Sequence, residues 1–204
     1  SYGNSLLLTH IMQGGTLVID NRFMYPNVIL EGIQREEITG FAGVPSTFAI
    51  LLNRSNFKSC SLPSLRYITQ AGGPMPHNMA YEIQKVVPQA KLYIMYGQTE
   101  ASARLSYLSP DDLHKKHGSV GKAIPGVTLH VINEKDEMVK PAETGEIVAM
   151  GENIMTGYWE KPEETAKVLR NGRLYTGDLA TVDEEGYIYI LSRKSDMIKS
   201  GAHR

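Results

Sequence analysis

Apolar and polar positions follow one rhythm in the first half of the chain and another in the second. In the first half, short apolar runs alternate with stretches of helical spacing. TLVI (16–19) follows Gly14-Gly15 and reads as a β-branched strand. PNVILEGIQREE (26–37) has helical periodicity, with Pro26 at its start. ITGFAGV (38–44) is strand-like, and PSTFAILLN (45–53) returns to helix behind a second proline. LRYITQAG (65–72) and KLYIMYG (91–97) read as strands, with HNMAYEIQKVV (77–87) as the helix between them. Strands alternating with helices of this length predict β–α–β units and a mostly parallel sheet. Strands buried on both faces read as continuous apolar runs, as these do.

Near Pro110 the pattern changes. VTLHVI, EIVAM, RLYTGDLATV and YIYIL are short β-rich runs separated by NEKDE, GENI and DEEG. These predict a small antiparallel barrel or a sandwich of hairpins, with the acidic clusters at 134–137 and 183–186 as turns. The polar stretch SPDDLHKKHGS (109–119) is the natural connector. The expected fold class is therefore α/β. An α/β sheet subdomain spans 1–110 and a small antiparallel β-barrel-like subdomain spans 111–192. No internal repeat or low-complexity tract interrupts the chain.

Composition narrows the function classes. The 204 residues carry 21 basic and 22 acidic side chains, a balance that points away from nucleic acid and anionic membranes as main partners. No apolar run approaches a membrane span. Cys60 is the single cysteine, so there is no intrachain disulfide framework and no cysteine metal site, which fits a reducing, cytoplasmic compartment. The chain begins at Ser1 without methionine or leader and stops at GAHR, as expected of a piece cut from something longer.

Ligands of open parallel sheets bind beyond the carboxyl ends of the strands. One strand delivers Gln70-Ala71-Gly72-Gly73-Pro74 there and another delivers Tyr96-Gly97-Gln98-Thr99-Glu100. The glycine pair removes side chains, so a flat or bulky ligand could approach the backbone; the plainer reading of these residues is a tight strand-to-helix turn with Pro74 as terminator. Thr99 beside Glu100 suits a metal-bound phosphate: Mg²⁺ takes one or two carboxylates and fills its other positions with phosphate oxygens and water. The alternative is a polar loop that caps the next segment. In Tyr175-Thr176-Gly177-Asp178-Leu179, a carboxylate after glycine can accept two hydrogen bonds, as from a ribose diol, or can be an exposed aspartate on a bulge. SRKSDMIK (192–199) by itself reads as a linker. SVGKA (119–123) fails as a phosphate loop, which needs glycine at Lys116 and Ser or Thr at Ala123. His114 and His117 flank two lysines in the connector and are not read as a metal pair.

The ordered set AGGPMP, YGQTE, GSVGKAIPG, GEIVAMGENIMTGYWEKPEET, RLYTGDLA and DEEGYIYILSRKSDMIKSGAHR resembles the AMP-forming acyl-adenylating superfamily across the whole chain. That superfamily includes acyl- and aryl-CoA ligases, peptide-synthetase adenylation domains and beetle luciferases. The resemblance implies ATP, AMP and Mg²⁺ as cofactors, a small carboxylic acid as substrate, and CoA or a carrier-bound phosphopantetheine as acyl acceptor. It implies that Ala71, Gly72, Gly73 and Pro74 line the adenine site and that Tyr96 packs on adenine. Gly97 lets the backbone come close, Thr99 contacts the α-phosphate and Glu100 holds Mg²⁺. Asp178 and Arg193 would bind the ribose.

It further implies a hinge two residues after Arg193, at Ser195 or Asp196, so that 193–204 opens a further domain. Lys199 lies near the hinge and is not the family's catalytic lysine. The family's phosphate loop has no counterpart in the chain, so the chain alone is expected to be inactive. Its truncated sheet would expose a face that favours homodimers or aggregation. SYGNSLLLTH (1–10) contains no acid to pair with an α-amine, which favours a fatty or aryl acid over an amino acid. A peptide-synthetase adenylation domain and a non-catalytic nucleotide- or carrier-binding module are the alternative readings.

Overall fold

The computed structural model describes residues 2–194 and divides into two compact units, 1–95 with 108–118, and 96–107 with 119–204. The first holds α1 (Tyr2–Met12), α2 (Pro26–Arg35), β1 (Gly40–Gly43), α3 (Pro45–Arg54), β2 (Tyr67–Gln70), α4 (His77–Val86) and nearly all of β3 (Lys91–Tyr96). β1 pairs with β2 and β2 with β3, both in parallel, with Ile68 opposite Phe41 on one side and Leu92 on the other. Proline opens α2 and α3, where its fixed φ is already helical and its missing N–H costs nothing. In α3 the Val44 N–H also donates to Thr47 Oγ1. Ile29, Leu30 and Ile33 of α2, and Phe48, Leu51 and Leu52 of α3, are buried, as the helical spacing requires.

One expected strand is missing. Residues 16–19 form neither helix nor strand, and Val18 and Ile19 are exposed. β-propensity alone does not make a strand; a ladder partner must be present. The preceding residues form α1, which buries none of its own residues. Side-chain bonds tether α1 instead: Tyr2 Oη lies 2.6 Å from Thr69 Oγ1, and His10 Nε2 lies 3.1 Å from Tyr67 Oη.

The second unit is mostly antiparallel. β4 (Ser106–Leu108) pairs through Ser106 and Tyr107 with β5 (Lys122–Ala123). β6 (Val127–Ile132), β7 (Gly145–Gly151), β9 (Arg173–Val182) and β10 (Ile188–Arg193) form an antiparallel sheet in the order β10-β9-β7-β6; β8 (Leu169–Arg170) pairs with β9. α5 (Pro162–Val168) precedes β8. The two acidic clusters are turns, as expected. Asn133 Oδ1 accepts from the N–H groups of Lys135 and Glu137, and Asp183 Oδ1 from those of Glu185 and Tyr187. Both faces of β7 are buried: Ile147 and Ala149 join a core with Leu105, Val131, Leu174 and Ile188, while Val148 packs with Ile132 and Tyr175. The α/β fold class, with a mostly parallel part and an antiparallel part, is as the pattern predicted. No described helix is long and apolar enough to cross a membrane.

Candidate functional site

Asp178 sits where β9 departs from its ladder. Against β7 the register runs Glu146 opposite Leu179 and then Val148 opposite Tyr175, so Thr176, Gly177 and Asp178 form a bulge. Gly177 lies at φ +76°, a conformation that favours glycine. Thr176 Oγ1 donates to Ile147 O (2.8 Å) and accepts from Asp178 N–H (3.1 Å), which holds the bulge in shape. The aspartate is 6% exposed, so the reading of a solvated bulge residue is not what the fold provides.

A buried carboxylate needs donors, and among the described residues Tyr96 and Arg193 supply them to Asp178. Tyr96 Oη donates to Oδ2 at 2.7 Å, and Arg193 Nε donates to Oδ1 at 2.9 Å. Burial, and then the negative charge of Asp178, push the Tyr96 phenol far above its usual range, so it stays a proton donor. Tyr96, Asp178 and Arg193 come from three separate stretches of chain and meet at one carboxylate.

Glu100 forms the second centre. It lies in a single 3₁₀ turn, Thr99–Ala101, directly after Gln98. The turn folds tightly because Gly97 has no side chain: a Cβ there would lie 2.4 Å from Ala103 O and 2.7 Å from Arg104 Cα. Tyr158 Oη donates to Glu100 Oε1 at 2.6 Å, and Met155 N–H donates to Glu100 O at 2.8 Å. Donation to this carboxylate, with some burial, pushes the Tyr158 phenol up to about 12. Asn153 Nδ2 donates to Ala101 O (3.0 Å) and Arg104 O (2.8 Å), so the segment after β7 clamps the YGQTE turn. Gln98, Glu100, Tyr158, Thr176, Gly177 and Arg193 are among the residues lining a cavity of about 300 Å³. Thr99 is exposed beside Glu100.

Among the described residues no cluster of three or more His, Cys, Asp or Glu could hold a metal. A single carboxylate at the edge of a cavity fits Mg²⁺ carried on nucleotide phosphates, which supply most of its oxygens. Ala71 to Pro74 belong to the first unit: Ala71 is buried, Gly72, Gly73 and Pro74 are exposed, and Gln70 Nε2 donates to Gly73 O at 2.8 Å. Ser195, Asp196 and Lys199 lie outside the described residues. The sequence reading passed over Tyr158, Asn153 and Glu146; the signal was their place in the run GEIVAMGENIMTGYW, which follows the connector and precedes the TGD stretch.

A sequence model of the AMP-binding enzyme family matches residues 1–159. The chain belongs to that family. It is 34% identical over 195 residues to a feruloyl-CoA synthase of Amycolatopsis sp, covering 95% of this chain and 39% of that protein. It is 37% identical over 201 residues to a 2-succinylbenzoate–CoA ligase of Bacillus cytotoxicus, covering 98% and 40%. An O-succinylbenzoate coenzyme A synthetase from Bacillus subtilis, solved with ATP and magnesium ion, superposes with a TM-score of 0.87 at 33% identity, covering 99% of this chain and 41% of that one. The chain thus spans about two fifths of the length of these family members.

Proposed function

We propose that the chain is part of an ATP-dependent, AMP-forming acid–thiol ligase of the acyl-CoA synthetase type. The observation that carries this reading is the pair of centres around one cavity: Tyr96 and Arg193 on Asp178, and Tyr158 on Glu100. In the reaction, a substrate carboxylate attacks the α-phosphorus of ATP, and the bond to pyrophosphate breaks. The thiol of CoA then attacks the acyl carbonyl, and AMP leaves. The CoA ligases among the relatives favour CoA over a carrier protein as acceptor, and a cytoplasmic site of action accords with them. The feruloyl and 2-succinylbenzoate names of those relatives favour an aryl acid, with a fatty acid as the alternative.

Asp178, fixed by Tyr96 and Arg193, keeps lone pairs for the ribose hydroxyls. Tyr158 takes Glu100 Oε1, so Oε2 is the oxygen left to face Mg²⁺. Mg²⁺ held by Glu100 would supply charge neutralisation of the phosphates. Thr99 donates to an α-phosphate oxygen, and Tyr96 packs on adenine. The work of these residues is positioning and charge neutralisation. The 204 residues alone carry no counterpart of the family's phosphate loop, so they do not catalyse adenylation by themselves.

Replacing Glu100 by Gln in the full-length enzyme tests the reading. Acid-dependent pyrophosphate exchange should fall by orders of magnitude across a Mg²⁺ titration. Wild-type exchange at every Mg²⁺ concentration would remove Glu100 from the metal's coordination.

A further inference from the structure

The bulge that presents Asp178 leaves a loose end, and the fold answers it with a carboxylate. Where β9 bulges, the Gly177 N–H leaves the β7 ladder and needs another acceptor. Glu146, on the facing strand, supplies one: its Oε1 accepts from Gly177 N–H at 3.0 Å. Its Oε2 accepts from Lys194 Nζ at 2.7 Å. The Glu146 side chain is only 10% exposed, and the Lys194 side chain 53%. One carboxylate therefore grips the residue immediately before Asp178 and the residue immediately after Arg193. Asp178 and Arg193 are themselves paired. In the sheet register Arg193 lies opposite Asp178, and Glu146 opposite Leu179, the next residue of β9.

We infer that Glu146 is the positioning residue of the nucleotide pocket, setting the Asp178–Arg193 pair in its ribose-binding geometry by holding both flanking residues. This rests on the nucleotide-binding reading proposed above. A carboxylate placed to fill a core would need only satisfied oxygens. This one spends each oxygen on a neighbour of a different ribose-facing residue, and no other described side chain bonds to the Gly177 N–H. The two halves of the grip differ in strength. The Gly177 bond is largely shielded from water and charge-assisted, whereas the Lys194 bond is half in solvent and screened.

Glu146→Ala removes both grips and should raise the KM for ATP by roughly ten- to hundredfold, with the KM for the acid little changed. Glu146→Gln keeps an oxygen for Gly177 but loses the ion pair, and Lys194→Met loses the ion pair alone. Each of these should raise the KM for ATP by roughly two- to fivefold. The measurements are steady-state pyrophosphate exchange on the full-length enzyme, AMP affinity by calorimetry, and a thermal melt of every variant. Partial rescue from Ala to Gln in the ATP constant alone supports the inference. Equal loss of stability and kcat in all three variants, with both KM values unchanged, would show a purely structural carboxylate and overturn it. If Glu146→Ala fails to fold, Glu146→Gln and Lys194→Met still decide, because an unchanged KM for ATP in both overturns the Lys194 half of the grip. An Asp178→Ala control separates the layers. If it weakens AMP binding while the Glu146 variants do not, only this inference fails; if it leaves AMP binding intact, the nucleotide reading beneath it fails.

Discussion

Two segments with nearly the same strand-forming character meet opposite fates in this chain. Residues 16–19, TLVI, form no strand and leave Val18 and Ile19 in solvent. Residues 173–182, RLYTGDLATV, form a ten-residue strand with Leu174 and Ala180 fully buried. The difference lies in their partners. β9 is hairpin-linked to β10 by a turn that Asp183 builds, and it faces β7 on its other side. A strand of a parallel sheet must find its neighbour through a crossover of a dozen residues or more. TLVI has no such neighbour among the described residues. The segments around it share this condition: α1 buries nothing, and Leu8, Ile11, Met12 and Met24 are exposed. Self-sufficiency is therefore a property of connectivity, not of propensity.

The strongest way to break this comparison is a pair of truncations. Leu174→Ala, at 0% exposure in the sheet core, should cost about 2–5 kcal/mol of stability. Leu8→Ala on α1, 60% exposed, should stay within about 0.5 kcal/mol. Urea unfolding followed by circular dichroism measures both; equal costs would mean that α1 is packed as tightly as the sheet. Next in size is Gly97→Ala. Its Cβ would collide with the backbone at Ala103 and Arg104, so the YGQTE turn must shift, at about 1–3 kcal/mol. The same unfolding curve tests it, and an unchanged midpoint would mean that the turn is not held closely. The smallest effect belongs to the open segment. Amides of 16–19 should exchange with deuterium near the unprotected rate, while those of β7 and β9 exchange only by larger openings. Strong protection at Val18 and Ile19 would show that TLVI is paired in solution and would dissolve the contrast.

What the sequence made legible follows the same division. The strands and helices from Pro26 to Tyr96 and the antiparallel run from Val127 to Arg193 were readable because apolar period and turn chemistry agree there. α1 escaped because its apolar residues do not favour one face, so periodicity carried no helical signal. TLVI misled because a strand pattern does not reveal whether a partner exists. In the site, YGQTE and TGD were legible as local motifs. Tyr158 and Glu146 were not, because each acts across the fold on residues dozens of positions away, Glu100 and Gly177; the β7–β9 register brings Glu146 to Gly177, and the segment after β7 brings Tyr158 to Glu100. The positive φ of Gly177 and the close approach at Gly97 were legible only as glycines, without the geometry that requires them.

The central claim is that the carboxylate held by Tyr96 and Arg193 faces a nucleotide. Calorimetric titration of AMP into the full-length enzyme and its Asp178→Ala variant tests this most directly, with a thermal melt to establish that both are folded. Loss of a charged hydrogen bond to ribose should weaken AMP by about 1.5–3 kcal/mol, roughly ten- to hundredfold. A folded Asp178→Ala enzyme that binds AMP as tightly as the wild type would contradict the account.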